Sequence, residues 1–201
     1  MADSPSNPAR RRFLTGAATA VGAVGVGFAA VPFLSSFQPS AKAQAAGAPV
    51  DVNIGKLSPG QMTTVAWRGK PVYVVHRTER MLEILPRMND RLRDPDSSVA
   101  SQQPAFATNI YRARQTHERF LVIVGICTHL GCAPTYRPEV APEDLGEDWL
   151  GGFFCPCHGS KFDMSGRVYK GVPAPTNLEV PPYVYVSGDL IRVGGTEEDA
   201  A

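Results

Sequence analysis

All four cysteines of this 201-residue chain, and two of its four histidines, fall in two short boxes. The first is Cys127-Thr128-His129-Leu130-Gly131-Cys132 and the second is Cys155-Pro156-Cys157-His158-Gly159-Ser160. Thiolates and imidazoles at this spacing hold metal, and two kinds of site fit the set. A structural zinc ion takes four ligands, commonly two Cys and two His. The pattern C-x-H with C-x-x-H supplies them and leaves Cys132 and Cys157 over. A [2Fe–2S] cluster uses the same donors differently, with two thiolates on one iron and two imidazoles on the other. Two ferric ions and two sulfides carry a net positive charge that two thiolates cancel and four overshoot. The neutral cluster accepts an electron more readily, so the His-ligated type has the higher potential. Each imidazole also keeps an N–H that titrates, which couples electron uptake to proton uptake.

Neighbouring residues of an extended loop point to opposite sides. Cys155 therefore converges with His158 more easily than Cys157 does, and Cys127 and His129 point to one side of their loop. That leaves Cys132 and Cys157 as a pair, one from each box, and a disulfide is permitted there if the domain lies outside the cytoplasm. A zinc site with a spare disulfide is the competing arrangement. An all-disulfide framework would leave the histidines unexplained. His76 and His117 have no metal-like neighbours and are expected to be ordinary packing or surface residues. Glu139, Glu143, Asp144, Glu147 and Asp148 form an acidic loop between the boxes. A solvated loop is the expectation there, and a docking surface for a basic partner protein is the sharper alternative. The tail Glu197-Glu198-Asp199 reads as a soluble end.

The elements that must position these boxes are short strands. Thr63–Trp67 and Pro71–Val75 flank Arg68-Gly69-Lys70 as a hairpin, and Tyr183–Val186 and Leu190–Val193 flank Ser187-Gly188-Asp189 as a second. The continuous apolar run Phe120–Ile126 suits a buried strand. Over Glu79–Leu92 the residues Met81, Leu82, Leu85, Met88 and Leu92 share one helical face, with Pro86 shortening or kinking the helix. The fold class expected is mainly β: antiparallel sheets with a small cluster-binding subdomain, one N-terminal transmembrane helix and one short inserted helix.

Before this domain, Phe13 to Phe37 carries no charge. As a helix it would span roughly 37 Å at ~1.5 Å per residue, against about 30 Å of bilayer hydrocarbon. Arg10, Arg11 and Arg12 precede it and Lys42 is the first charge after it. The positive-inside rule places the N-terminus in the cytoplasm and the rest outside. Arg-Arg-x-Phe-Leu before an apolar stretch also reads as a twin-arginine signal. A secretory signal cleaved after Ala43 is the alternative, with a longer apolar region than such signals have. Residues 1–37 are thus expected to be signal and anchor, 38–49 a small-residue flexible hinge or tether, and 50–201 the domain. From Val50 onward sixteen Lys/Arg face eighteen Asp/Glu, a balance of −2, with no basic stripe of the kind nucleic-acid binders show.

The two boxes resemble the Rieske signature, and the likeness extends beyond them. Gly60-Gln61-Met62, Trp67-Arg68-Gly69-Lys70-Pro71-Val72, Gly171-Val172-Pro173-Ala174-Pro175 and Asn177-Leu178-Glu179-Val180-Pro181 are similar to stretches of the iron–sulfur subunit of bacterial cytochrome bc complexes. The resemblance implies one [2Fe–2S] cluster per chain, with Cys127 and Cys155 on an inner iron and His129 and His158 on an outer, solvent-facing iron. It implies a Cys132–Cys157 disulfide, a Leu130–Gly131 tip that docks on cytochrome b, and a Pro173–Pro175 loop over the cluster. Ser160 would donate to a cluster sulfide, and His158 would hydrogen-bond the quinol and receive its proton. The partners implied are cytochrome b, a c-type cytochrome and quinol, in a dimeric complex of the inner membrane with the domain in the periplasm. One position departs from the pattern, since Phe162 stands where many members have tyrosine. A soluble periplasmic oxidoreductase such as an arsenite oxidase is the alternative, separable by retention of Phe13–Phe37. An oxygenase would need a further 2-His-1-carboxylate iron site, for which only His76 and His117 are spare. A zinc-stabilised binding module is the alternative from another class.

Overall fold

The computed structural model describes residues 7–200. Residues 1–6 of the expected signal lie outside the described ones. The chain divides between Ala45 and Ala46 into two units.

The first unit is built on helix α1, Pro8–Ser36. Asn7 caps it by accepting from the N–H groups of Ala9 and Arg10 at 3.0 and 3.3 Å, and Pro8 sits at the first position, where its missing N–H is no loss. None of its residues is buried, and Phe13, Val21, Phe28, Phe33 and Leu34 all stand exposed. A 29-residue helix is about 44 Å long at ~1.5 Å per residue. It is long and apolar enough to serve as a single-pass membrane anchor. The hydroxyls of Thr15 and Thr19 donate back to the carbonyls of Arg11 and Thr15, which satisfies them inside the helix itself.

Within the stretch expected to be a hinge, the structure places a second helix, α2, Ala41–Gly47. Alanine is the strongest helix former, and the Ser40 hydroxyl accepts from the Ala43 N–H at 3.2 Å. Seven residues are too few for a helix to persist by itself in water.

The second unit carries nine strands among the described residues, in three antiparallel three-stranded sheets. One sheet orders β1 (Val50–Asn53), β9 (Leu190–Val193) and β8 (Tyr183–Ser187). Another orders β2 (Met62–Trp67), β3 (Lys70–His76) and β4 (Phe120–Val124). The third orders β5 (Thr135–Arg137), β6 (Gly152–Cys155) and β7 (Ser160–Phe162). Trp67 pairs with Lys70, so the first hairpin turns on Arg68-Gly69 alone. Both turn residues have positive φ, 50° and 73°, as a two-residue turn matching the strand twist requires. The central strand β3 is buried at Val72–Val75, and Leu121, Val122, Ile123, Phe153, Phe162 and Ile191 join it in the main core.

The inserted helix α3 spans Glu79–Ile84 and tightens into a 3₁₀ turn over Leu85–Arg91, where Pro86 falls. Its Leu85, Met88 and Leu92 are buried, and Met88 and Leu92 pack with Trp149 and Tyr169 in a smaller cluster. Three arginines unforeseen as core residues are also buried, Arg77, Arg112 and Arg167. Arg77 donates to the carbonyls of Tyr111, Met164 and Glu118, and Arg112 to those of Leu178, Gly166 and Gln102. Desolvation lowers both guanidinium pKa values to about 10, so each stays charged at neutral pH. Arg77, just past β3, thus ties the loop after β7 to the segments around Tyr111 and Glu118, and Arg112 joins the loops at Gln102, Gly166 and Leu178.

Candidate metal centre

Both boxes sit at one end of the third sheet. Cys155 closes β6, Ser160 opens β7, and the two are register partners, so the second box is the hairpin between them. The first box is the loop from β4 to β5. In each, a glycine in the left-handed region folds the loop back. Gly131 (φ 85°) donates to the Cys127 carbonyl, and Gly159 (φ 77°) donates to the Cys155 carbonyl, both at 3.0 Å. The Cys127 N–H donates to the Cys132 carbonyl at 2.7 Å.

Cys132 and Cys157 form a disulfide with Cα atoms 6.7 Å apart, joining the two boxes. Cys127 and Cys155 are free and buried. Burial raises the Cys155 thiol's pKa, and the Cys127 thiol beside it adds to the effect. A cation shared by the two sulfurs would remove that penalty, because a coordinated thiol is deprotonated outright. The rings of His129 and His158 meet edge to face, 4.8 Å between centroids, with His129 half-buried and His158 exposed. Leu130 beside them is 71 % exposed, and Gly131 is also open to solvent. Buried thiols thus face inward and a pair of imidazoles faces out. This donor set and its polarity fit a cluster ligated by thiolates on one iron and imidazoles on the other.

Two contacts hold the surrounding loop. Thr128 donates to the Thr176 carbonyl at 2.8 Å, and Ala174, buried between exposed Pro173 and Pro175, donates its N–H to the Ser160 hydroxyl at 3.1 Å. Ser160 accepts there, so its own proton is free to donate. Phe162 lies two residues on along β7, on the same face, fully buried.

Residues not singled out from the sequence also position the site. Tyr73 crosses beneath the first box and donates to the Pro134 carbonyl at 3.1 Å. A Cβ on Gly125 would lie 2.3 Å from the Tyr73 ring, so only glycine leaves room for it. A glycine inside an apolar strand run is the signal for such a close approach. His76 stacks on Phe120 and bonds the Leu57 carbonyl, while His117 stacks on Tyr185, so both are packing residues. In the acidic loop, Arg137 pairs with Glu139 and Asp144.

Small antiparallel sheets, with two Cys–His loops clamped by a disulfide at one end, define a Rieske-type [2Fe–2S] domain. The family model described as "Rieske [2Fe-2S] domain" matches residues 91–183. A second, described as "Ubiquitinol-cytochrome C reductase Fe-S subunit TAT signal", matches residues 1–40. A protein of Allochromatium vinosum named ubiquinol-cytochrome c reductase iron-sulfur subunit is 55% identical over 94% of this chain and 89% of its own length. Proteins of the same name from Bradyrhizobium diazoefficiens and Blastochloris viridis are 43% and 44% identical, each over 96% of this chain and 98% of its own. The chain belongs to the family of ubiquinol–cytochrome c reductase iron–sulfur subunits.

Proposed function

We propose that the protein takes one electron from quinol at a site shared with cytochrome b and passes it to a c-type cytochrome. The cluster, when bound, supplies the one-electron capacity. The observation that carries this reading is the polarity of the site, with Cys127 and Cys155 buried while His158 and Leu130 are exposed. Cys127 and Cys155 would hold one iron, and His129 and His158 the other. His158 accepts the quinol hydroxyl's hydrogen bond and then its proton, at the ring nitrogen that ligation leaves free. Leu130 and Gly131 exclude water from that contact, and Ala174 donates its N–H to the Ser160 hydroxyl, whose own proton would remain to donate to a cluster sulfur. The protein works as a subunit of a dimeric membrane complex. The arginines before α1 favour a cytoplasmic N-terminus and a periplasmic domain, and the disulfide suits that oxidising compartment. A long exposed apolar helix weighs against the soluble alternative. The test is a redox titration of the full chain in membranes, followed by paramagnetic resonance. A high-potential signal that quinol generates supports the reading, and a cluster that quinol leaves oxidised sinks it.

Residues 38–49 serve as the hinge between anchor and domain. Quinol and cytochrome are separate partners, so the domain must travel, and a short helix such as α2 melts at little cost. Replacing Ala43–Ala46 with prolines is expected to slow turnover severalfold while the cluster's spectrum and potential stay as they were. Unchanged turnover would reduce the segment to a tether.

Phe162→Tyr is expected to raise the midpoint potential. Hydrogen bonds to the cluster's sulfur ligands stabilise the reduced form, and phenylalanine has none to give. A charge-assisted bond of roughly 1.5–3 kcal/mol, at about 59 mV per tenfold for one electron, bounds the shift near ~100 mV. Tens of millivolts are expected, measured at fixed pH below the histidine transitions. A zero or downward shift would mean that the hydroxyl does not reach the sulfur shell.

A further inference from the structure

The proposed function leaves unused an open cleft of about 600 Å³ beside the second box. Trp149 and Tyr169 line it, their rings stacked 6.1 Å apart. Arg91, Lys161 and Lys170 also line it, and Arg93 donates to the carbonyl of Val172 on its rim. One carboxylate stands among these cations, Asp148, ion-paired with Arg91 at 3.2 Å. Among the described residues the two ammonium groups meet backbone carbonyls, Lys161 that of Leu145 at 3.4 Å and Lys170 that of Asp90 at 2.9 Å, and neither is in an ion pair. A carbonyl does not neutralise an ammonium, so the cleft keeps a basic excess over Asp148, in a domain whose Lys/Arg are outnumbered sixteen to eighteen. Tyr169 gives an independent sign. It is 9% exposed, yet its hydroxyl has no hydrogen-bond partner among the described residues. A buried donor without an acceptor calls for an explanation.

Position says what the cleft is for. Gly159 and Gly171 are part of its wall; the first follows His158 and the second begins the proline loop. An interface of standard size covers about 800 Å² per partner, a disc of roughly 16 Å radius. A protein seated over His158 on that footprint reaches at least the near wall of the cleft, since Gly159 is the next residue. We propose that the cleft is the electrostatic part of the docking surface for the electron acceptor, a c-type cytochrome whose carboxylates enter among Arg91, Arg93, Lys161 and Lys170. The proposal rests on the function inferred above. It divides the labour of the two dockings. The apolar Leu130–Gly131 tip suits a dehydrated quinol pocket, whereas hydrated charge contacts steer a partner that must also be released.

The test is K161E/K170E in the purified complex, with K161Q/K170Q as the milder variant. Electron transfer from the cluster to the c-type haem should slow about tenfold or more in the reversed variant at low ionic strength. The deficit should shrink to about threefold or less near 1 M salt, where the screening length falls to about 3 Å. The neutral variant should fall between. Quinol-driven reduction of the cluster, its midpoint and its resonance should not change. Rates unaltered at every salt concentration overturn the proposal, and so does a deficit that salt leaves untouched, which would mean a displaced loop. Loss of quinol-driven reduction would assign the cleft to cytochrome b, and loss of bound anionic lipid with normal transfer would assign it to a headgroup; both overturn the proposal. If the unaltered complex passes no electron from cluster to c-type haem, the functional reading itself fails.

Discussion

The reduced-state paramagnetic signal of the cluster is expected to vanish when Cys127, His129, Cys155 or His158 is replaced by alanine. The effect should be complete in each case, because the set offers two thiols and two imidazoles with no spare. The remaining cysteines are held in the disulfide and cannot substitute without breaking it. Cys132→Ser and Cys157→Ser should behave differently. Each box keeps its internal bonds, Cys127 N–H to Cys132 carbonyl in one and Gly159 N–H to Cys155 carbonyl in the other. Only the covalent clamp between the boxes goes. For a bridge spanning 25 residues, the loss of chain constraint is roughly 3–4 kcal/mol on the entropic account. The cluster should then insert but dissociate faster. Iron per chain and signal amplitude, followed over time in the six variants, separate the two classes. A normal cluster in His129→Ala would refute the ligand assignment, and equal, immediate loss in all six would remove the distinction between ligand and clamp.

Asp163→Ala should be the most damaging substitution outside the boxes. Asp163 and Arg167 form an ion pair at 2.7 Å with side chains 2% and 0% exposed. The carboxylate also accepts the backbone N–H groups of Ser165 and Arg167, at 2.9 and 2.8 Å. Arg167 spends its other donors on Asn89, Pro95 and Leu85. Removing the acid strands a buried guanidinium, which costs about 3–5 kcal/mol. At about 2–4 °C per kcal/mol for a domain of this size, the melting temperature should fall by roughly 10 °C. The pair itself, once desolvated, contributes far less than this. Asp163→Ala combined with Arg167→Met should therefore recover much of the loss. The measurement is thermal unfolding of the unaltered protein, Asp163→Ala, Arg167→Met and the double variant. A fall of less than about 2 °C for Asp163→Ala would mean that water reaches Arg167.

The chemistry of the site was legible in the residues because its signals are local and rare. Six thiol and imidazole side chains in two hexapeptides admit few uses, and an uncharged stretch from Phe13 to Phe37 needs no tertiary partner to read as an anchor. Hairpins and the Pro86 break are local in the same way, since turn geometry and a missing N–H act within a few residues. The alanine-rich segment 38–49, proposed above as a hinge, was harder. Helix propensity there competes with solvent over only seven residues, so the pattern held no periodicity to read.

What only the tertiary structure decided are the contacts between distant segments. A run such as Glu79–Leu92 shows its apolar face, but an arginine's sequence neighbours say nothing of the carbonyls it will meet. Arg77 reaches Met164, and Arg112 reaches Leu178. Both are buried because backbone acceptors converge on them, and burying a charge is tolerable only where such acceptors are already arranged. Tyr73 passing under Gly125, and Arg91, Lys161 and Lys170 gathering around the cleft at Gly159, arise the same way. The four proposed ligands stood out by their types. Their polarity, thiols inward and imidazoles outward, was set by which loop each sheet presents to the core and which to water.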